Sequence, residues 1–292
     1  MYRTVVVVPL AALSLFISTT CFPSPTLAAD VLVVADSQLR PAMEIISGIR
    51  KSAGSSLKII SPEEAKRGLK GAVEREGARV VVALGKEALS EAMALPAHIP
   101  VIFDMIVTPP VITRPNTTGF YLATPVREYT ELVRKHLHSI RQVSVVGTRD
   151  QLSLLGKGEA ASYAVRDTSE FVSAVRKVES ADAILLLPDT SVLTSAALDE
   201  AYLLSFRKGI PLLGVSERNV REGALVALVV DMVNVGKLIG DAASKALKGV
   251  NIGQFPPSPP RKFDIYLNTA TARRMKIDIP DEMVRMAKRV YP

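Results

Sequence analysis

Hydrophobic and polar residues alternate along this chain in two registers: short apolar runs that end abruptly in polar or glycine residues, and longer stretches with apolar positions three and four apart. "DVLVVADSQL" from Asp30 is a β-branched run with a polar end, which reads as a strand and its tip. Residues 40 to 51 carry Met43, Ile45, Ile46 and Ile49 at helical spacing. "SLKII" is a second strand, and Ser61-Pro62-Glu63-Glu64 starts a helix with Ser at the N-cap and Pro at the first helical position.

The pattern then repeats. "ARVVVALGKEALSEAMALPAHIPVIFDM" predicts strand, glycine turn, helix, Ile99-Pro100 and strand. "ADAILLLPDTSVLTSAALDEAYLLSFRKGIPLLGVSE" predicts strand, turn, helix, Ile210-Pro211 and strand. Each copy is followed by another short strand and a long amphipathic helix, in "NTTGFYLATPVREYTELVRKHL" and in "REGALVALVVDMVNVGKLIGDAASKAL". Strands alternating with helices imply α/β architecture, with parallel sheets covered on both faces. A duplicated β-α-β order implies two similar Rossmann-like lobes. After Gly249, "QFPPSPPRKF" is a proline-rich connector, "FDIYLN" a strand, and "PDEMVRMAKRV" a closing helix.

Composition narrows the reading. The 292 residues are 48% hydrophobic and 22% charged, with a formal charge of +7 spread along the chain. There is no Trp, and aromatic residues make up 5%, which is a poor supply of stacking platforms for nucleic acid. At the N-terminus, Arg3, the apolar run "TVVVVPLAALSLFI" and the small residues of "PSPTLAAD" form an export signal cleaved after Ala28 or Ala29. The run is shorter than the roughly 20 residues of a membrane span and contains Pro9. The single cysteine, Cys21, lies inside this signal and follows Thr20 rather than a small Gly or Ala, which disfavours lipidation. The mature chain then has no cysteine, no disulfide and no thiol chemistry, and is periplasmic or secreted.

The order of "VVALGKEAL", "IPVIFD", "NTTGF", "ADAILLLPDTSVLTSAAL", "KGIPLLGVSERNVREGALVALVVDMVNVGKLIGDAASKALKG" and "YLNTATARRMKIDIPDEMVRMA" resembles the substrate-binding proteins of ABC transporters with the type I periplasmic-binding fold. The branch is the one that includes tryptophan/tyrosine-type amino-acid binders. The resemblance runs from about residue 80 onward. Two departures stand out: the family often has Asp-Asn where this chain has Asp189-Thr190, and Asp-Pro where it has Thr108-Pro109. The segment from Gly147 to Ala183 is also compressed.

The resemblance implies a Venus-flytrap binder: a small polar ligand, with amino acids the candidate class, between two lobes that close on a hinge, and an ABC permease in the inner membrane as partner. A receptor-coupled sensor or interaction protein of the same fold is the alternative. It implies no enzyme, no cofactor and no nucleic-acid partner. Residues 30–122 form the first lobe, completed by 229–292, and 123–228 the second. In such sheets the ligand sits beyond the carboxyl ends of the strands. The candidate tips of the first lobe are Ser37-Gln38, Gly85-Lys86 and Asp104; those of the second are Thr148, Asp189-Thr190-Ser191 and Ser216-Glu217. Gly85 suits close approach of a ligand carboxylate to backbone N–H groups, or merely makes the turn. Asp189 suits a ligand ammonium, and the same three residues equally suit an N-cap. Tyr121, Tyr163 and Phe103 are the aromatic side chains available to a pocket.

Other signals carry no chemistry. His136 and His138 are two apart, a poor metal pair, and with His98 read as surface residues. "LGKGEA" lacks the hydroxyl and spacing of a phosphate loop. No catalytic or metal residues are expected.

Overall fold

The structure is a computed structural model; it describes residues 29–107, 110–155, 160–178, 183–188 and 192–292. The export signal therefore lies outside the described residues.

The first lobe runs β1 (Val31–Val34), α1 (Arg40–Ser52), β2 (Leu57–Ile60), α2 (Pro62–Lys66), α3 (Leu69–Glu76), β3 (Val80–Leu84), α4 (Lys86–Met93), β4 (Val101–Asp104) and β5 (Thr117–Gly119). Its strands pair all-parallel in the order β2-β1-β3-β4-β5. The second lobe takes α5 (Val126–His136), β6 (Val143–Gly147), α6 (Arg149–Ser153), β7 (Ala161–Ala164), α7 (Thr168–Lys177), β8 (Ala183–Leu186), α8 (Ser195–Lys208), β9 (Leu212–Gly214), α9 (Glu217–Glu222) and β10 (Val226–Val230). There β7-β6-β8-β9-β10 repeat the same parallel order. The duplication read from the sequence is thus a duplication of topology, and the α/β two-lobed class is what the chain adopts.

The helix after the fifth parallel strand of each lobe packs on the other lobe. α5 follows β5 of the first sheet, yet Val126, Tyr129, Leu132 and Val133 pack on Val143, Val145, Leu185 and Val226 of the second. α10 (Met232–Leu247) follows β10 of the second sheet, yet Val235, Ile239 and Ala243 pack with Ile45 and Ile49 of α1 on the first. The opposite face of the first sheet is covered by α2, α3 and α4, and that of the second by α7 and α8. The inner strands β1, β3, β4, β6 and β8 are buried on both faces, which explains their uninterrupted apolar runs.

The sequence pattern assigns 229–292 to the first lobe; the structure divides that stretch. α10 and the turn after it stay on the first lobe, where Thr118 Oγ1 donates to Phe255 O at 2.7 Å. β11 (Phe263–Asn268) instead pairs antiparallel with β10, α11 (Thr269–Met275) and α12 (Asp281–Met286) follow, and β12 (Ala287–Tyr291) pairs parallel with β11. The expected closing helix therefore ends at Met286, because "AKRVY" gains a ladder along β11. The chain crosses between lobes three times, at residues 120–125, at Asp231 and at 259–262. Asp231 and Lys262 tie two crossings together, by a backbone bond of 3.2 Å and an ion pair of 3.3 Å.

One further expectation fails. His136 is not a surface residue: it lies on the buried face of α5, its Nδ1 3.8 Å from Glu282 of α12.

Candidate functional site

The C-terminal ends of β6, β8 and β9 open onto a cleft of about 550 Å³, which Val107 from the loop after β4 also lines. Pro188, Leu193, Leu198 and Val215 make apolar walls; Thr148, Asp150, Gln151, Ser216 and Asn219 make a polar floor. That volume suits a small molecule.

Two of the strand tips share one construction. β6 ends in Gly147, followed by Thr148 and, three residues on, Gln151. β9 ends in Gly214, followed by Val215, Ser216 and, three residues after the serine, Asn219. In each case a hydroxyl residue caps a short helix and an amide side chain from its first turn folds back on the strand end. A Cβ on Gly214 would lie 2.4 Å from the Asn219 Cβ, so that position needs glycine for close approach; one on Gly147 would first meet Leu187 Cδ1, at 2.6 Å, with Gln151 Oε1 at 3.1 Å.

The amides are held by their bonds. Gln151 Oε1 accepts from the Thr148 N–H at 3.2 Å and from its hydroxyl at 3.3 Å, while Nε2 donates to Pro188 O and so ties the β6 tip to the β8 tip. Asn219 Oδ1 accepts from the Val215 N–H at 3.1 Å and the Ser216 hydroxyl at 2.8 Å. With its oxygen fixed this way, the Asn219 NH2 is left without a protein partner among the described residues, a donor in the polar lining of the cleft. Of the charged lining residues, Arg218 is already paired with Glu222 at 2.5 Å, and Asp150 is the exposed carboxylate. Among the described residues no group of three or more metal-ligating side chains forms.

Beneath this floor a buried hydroxyl sets the strand spacing. Tyr129 of α5 donates its hydroxyl to Gly214 O and accepts from Leu228 N–H at 2.7 Å. β9 and β10 are paired through Ala227 and Gly214, so this O–H stands where a direct ladder bond would run. The cleft residues Val215 to Asn219 follow at once.

The expected tips separate into groups. Thr148 and Ser216 line the cleft. Asp189, Thr190 and Ser191 lie outside the described residues. Ser37 and Gln38 form an exposed turn, with the Gln38 N–H donating to Asp36 Oδ1 at 2.9 Å, and do not line the cleft. Gly85 has φ +102, a conformation that demands glycine, and caps α4; the Lys86 side chain is exposed, and neither residue reaches the cleft. Asp104 is fully buried, with neither carboxylate oxygen bonded, so it is no cleft contact. Glu217 accepts from Tyr291 Oη and from Arg289 at 3.0 Å, which turns its carboxylate toward the C-terminal strand. Phe103 is sealed in the first core, Tyr163 stands on the edge strand β7, and Tyr121 belongs to the first crossing. The sequence reading missed Gln151, Asn219, Asp150 and the apolar walls. Its available signal was the pair of Thr/Ser-x-x-Gln/Asn steps after strand-ending glycines.

Residues 159–291 match the model of the ABC transporter substrate binding protein family. The resemblance read in the sequence therefore holds in its C-terminal part, just short of half the chain. No curated protein matches. Among solved structures, a conserved domain protein from Vibrio cholerae is similar at 20% identity, with a TM-score of 0.61. A domain from Streptococcus pneumonia in complex with L-Trp is similar at 17% identity and a TM-score of 0.60. A ligand-free, open substrate-binding protein with adhesive properties from Clostridium difficile is similar at 15% identity and 0.69. In all three cases 90% of this chain and 99% of the other are covered. At these identities the likeness is one of fold, and the fold is the two-lobed periplasmic-binding type I architecture. Among the described residues no helix is long and apolar enough to cross a membrane.

Proposed function

We propose that this protein is the exported solute-binding component of an ABC importer, holding a small ligand in the interlobe cleft without catalysing a reaction. The observation that carries the reading is the cleft itself: three strand tips of one lobe face Val107 of the other across about 550 Å³. Ligand contacts to both lobes favour the closed arrangement, the three crossings serve as hinge, and a permease reads the closed form. The ligand has an apolar body to meet Val107, Leu193 and Leu198, and a hydrogen-bond acceptor for the Asn219 NH2. Amino acids are the first class to screen, because the structurally similar S. pneumonia domain was crystallised with L-Trp. Asp189, one residue beyond Pro188 of the cleft wall, is the proposed partner of a ligand ammonium.

The test is a thermal-shift screen of the full chain against amino acids, small peptides, nucleosides and organic acids, since a ligand that binds the native state raises the midpoint by mass action. A hit abolished by Asn219→Ala and weakened by Asp189→Ala is expected. Hits that survive both changes, or none at all from folded protein, overturn the proposed site. Export is tested separately by sequencing the N-terminus of secreted material, which should begin at Ala29 or Asp30.

A further inference from the structure

The cleft continues past its own lining toward the hinge. Val107 and Gln151 of the cleft also line a constriction of about 30 Å³, with Ala123, Thr124, Leu154, Leu155 and Leu187. Ala123, Thr124, Leu154 and Leu155 in turn line a chamber of about 220 Å³, with Tyr121, Pro259 and Pro260 of two crossings and Phe263 of β11. Cleft, constriction and chamber therefore abut in that order. A backbone bond holds the joint: Leu122 N–H donates to Ile106 O at 2.7 Å, which sets Val107 beside the first crossing. The passage is apolar in effect. Gln151 commits Oε1 to Thr148 and Nε2 to Pro188 O, so its polar atoms are engaged, and Thr124 is the other polar residue there. Val107 on the cleft side and Leu154 on the chamber side are 37% and 40% exposed, large apolar side chains left in water at the two ends of the passage. The charged lining of the chamber, Arg127 and Glu128, is exposed on the first turn of α5. A constriction of about 30 Å³ takes one water-sized group at a time. A straight methylene chain fits that width; an aromatic ring does not.

We propose that the ligand is an amphiphile whose unbranched aliphatic tail runs from the cleft through this constriction into the hinge chamber, while its polar head stays with Ser216 and the Asn219 NH2. This rests on the solute-binding reading above and deepens it: Ala123, Leu154 and Leu155 become the residues that select tail length and shape. The tail removes Val107 and Leu154 from water, and each methylene it buries raises affinity about fourfold.

Calorimetric titration of the full chain tests this with two probe series: unbranched 2-amino acids with side chains from ethyl to heptyl, and the straight-chain carboxylates of matching length. Affinity should climb by about fourfold per methylene once the tail enters the constriction. Ala123→Leu fills the constriction and should cut the longest-to-shortest affinity ratio by about tenfold or more. Leu154→Asn changes an exposed side chain, should shrink the same ratio, and serves if Ala123→Leu disturbs the hinge. A phenyl-ended tail of equal reach should gain nothing over the short members. Affinity that ignores tail length, a climb that survives both substitutions, or a phenyl-ended tail that gains as much as the straight one overturns the tail site. Each of these leaves the cleft reading intact, because the head still binds. Binding by neither series also overturns the tail site, and the wider screen of peptides and nucleosides then decides the cleft reading by itself.

Discussion

Replacing Asp104 by Asn should stabilise the protein at pH 8 and leave it nearly unchanged at pH 4. Asp104 ends β4 on the same face as Ile102, beside Leu84 in the neighbouring strand. Phe120 follows the residue paired with Phe103 on the other side. Leu84, Ile102 and Phe120 all belong to the core under α1 and α10. The side chain is fully buried, and neither oxygen has a hydrogen-bond partner. Burial pushes its pKa from 3.8 up to about 7; the Met105 amide opposes this without reaching hydrogen-bond geometry. No neighbouring charge contributes to the shift.

The sign follows from linkage. The folded chain binds the Asp104 proton more tightly than the unfolded chain, so ionisation costs nothing below pH 3.8. The cost grows as pH rises toward 7 and is complete above that. A rise from 3.8 to about 7 corresponds to a penalty of about 4 kcal/mol when the group is ionised, an upper figure because water that reaches the carboxylate reduces it. Asparagine keeps the shape and the unpartnered polar group but cannot ionise. At roughly 2–4 °C per kcal/mol for a chain of this size, the Asn variant should melt several degrees above the parent at pH 8. That advantage should fade steadily toward pH 4. Raising the salt concentration should not remove it, since the cost is desolvation and not repulsion between charges. Equal melting shifts at the two pH values would refute the reasoning, as would a pH 8 advantage that vanishes in salt.

Two further substitutions test the packing. Tyr129→Phe removes the hydroxyl between Gly214 O and Leu228 N–H, leaving two buried backbone groups unbonded; it should lower stability by about 2–4 kcal/mol in denaturant unfolding, and a loss under about 0.5 kcal/mol would mean that the strands simply close and bond. Gly236→Ala places a Cβ 2.0 Å from Ile45 O, where α10 lies against α1, and should cost at least ~2 kcal/mol, whereas Gly71→Ala, with open space around it in α3, should be neutral or slightly stabilising.

The parts of the fold legible in the sequence were those decided by local pattern. Apolar runs marked the strands, and Ser61 over Pro62 marked a helix start, its Oγ accepting from Glu64 N–H at 3.2 Å. Ile-Pro before β4 and β9 marked the duplication. Local pattern does not say which sheet a helix covers: α5 and α10 have good apolar stripes, but a stripe names no partner. The lobe bounds that place α5 with the second lobe and α10 with the first came from the resemblance, and both helices do pack on the lobe opposite the strand they leave. The same gap explains the tail: residues 283–290 keep Met283, Val284, Ala287 and Val290 at helical spacing, yet tertiary pairing along β11 wins over that spacing from Ala287 onward.

The site divides along the same line. Position in sequence placed every candidate at a strand tip, which is where the cleft is. Which tip side chains enter the cleft depends on what each meets first. Thr148 and Ser216 remain at the cleft as helix caps. Glu217, the very next residue, is drawn off by Arg289 and Tyr291, 72 and 74 positions away in the chain. Asp104 turns under its own sheet because strand alternation puts it on the face of Ile102, and no polar group is there to receive it. Asn219 was passed over because it reads as an interior helix residue, yet glycine at the end of β9 lets it fold back beside Val215. Which polar side chains line this cleft is therefore set by the strand ends as much as by their own polarity: Gly214 makes room for the Asn219 amide, and Gln151 reaches across to Pro188 O.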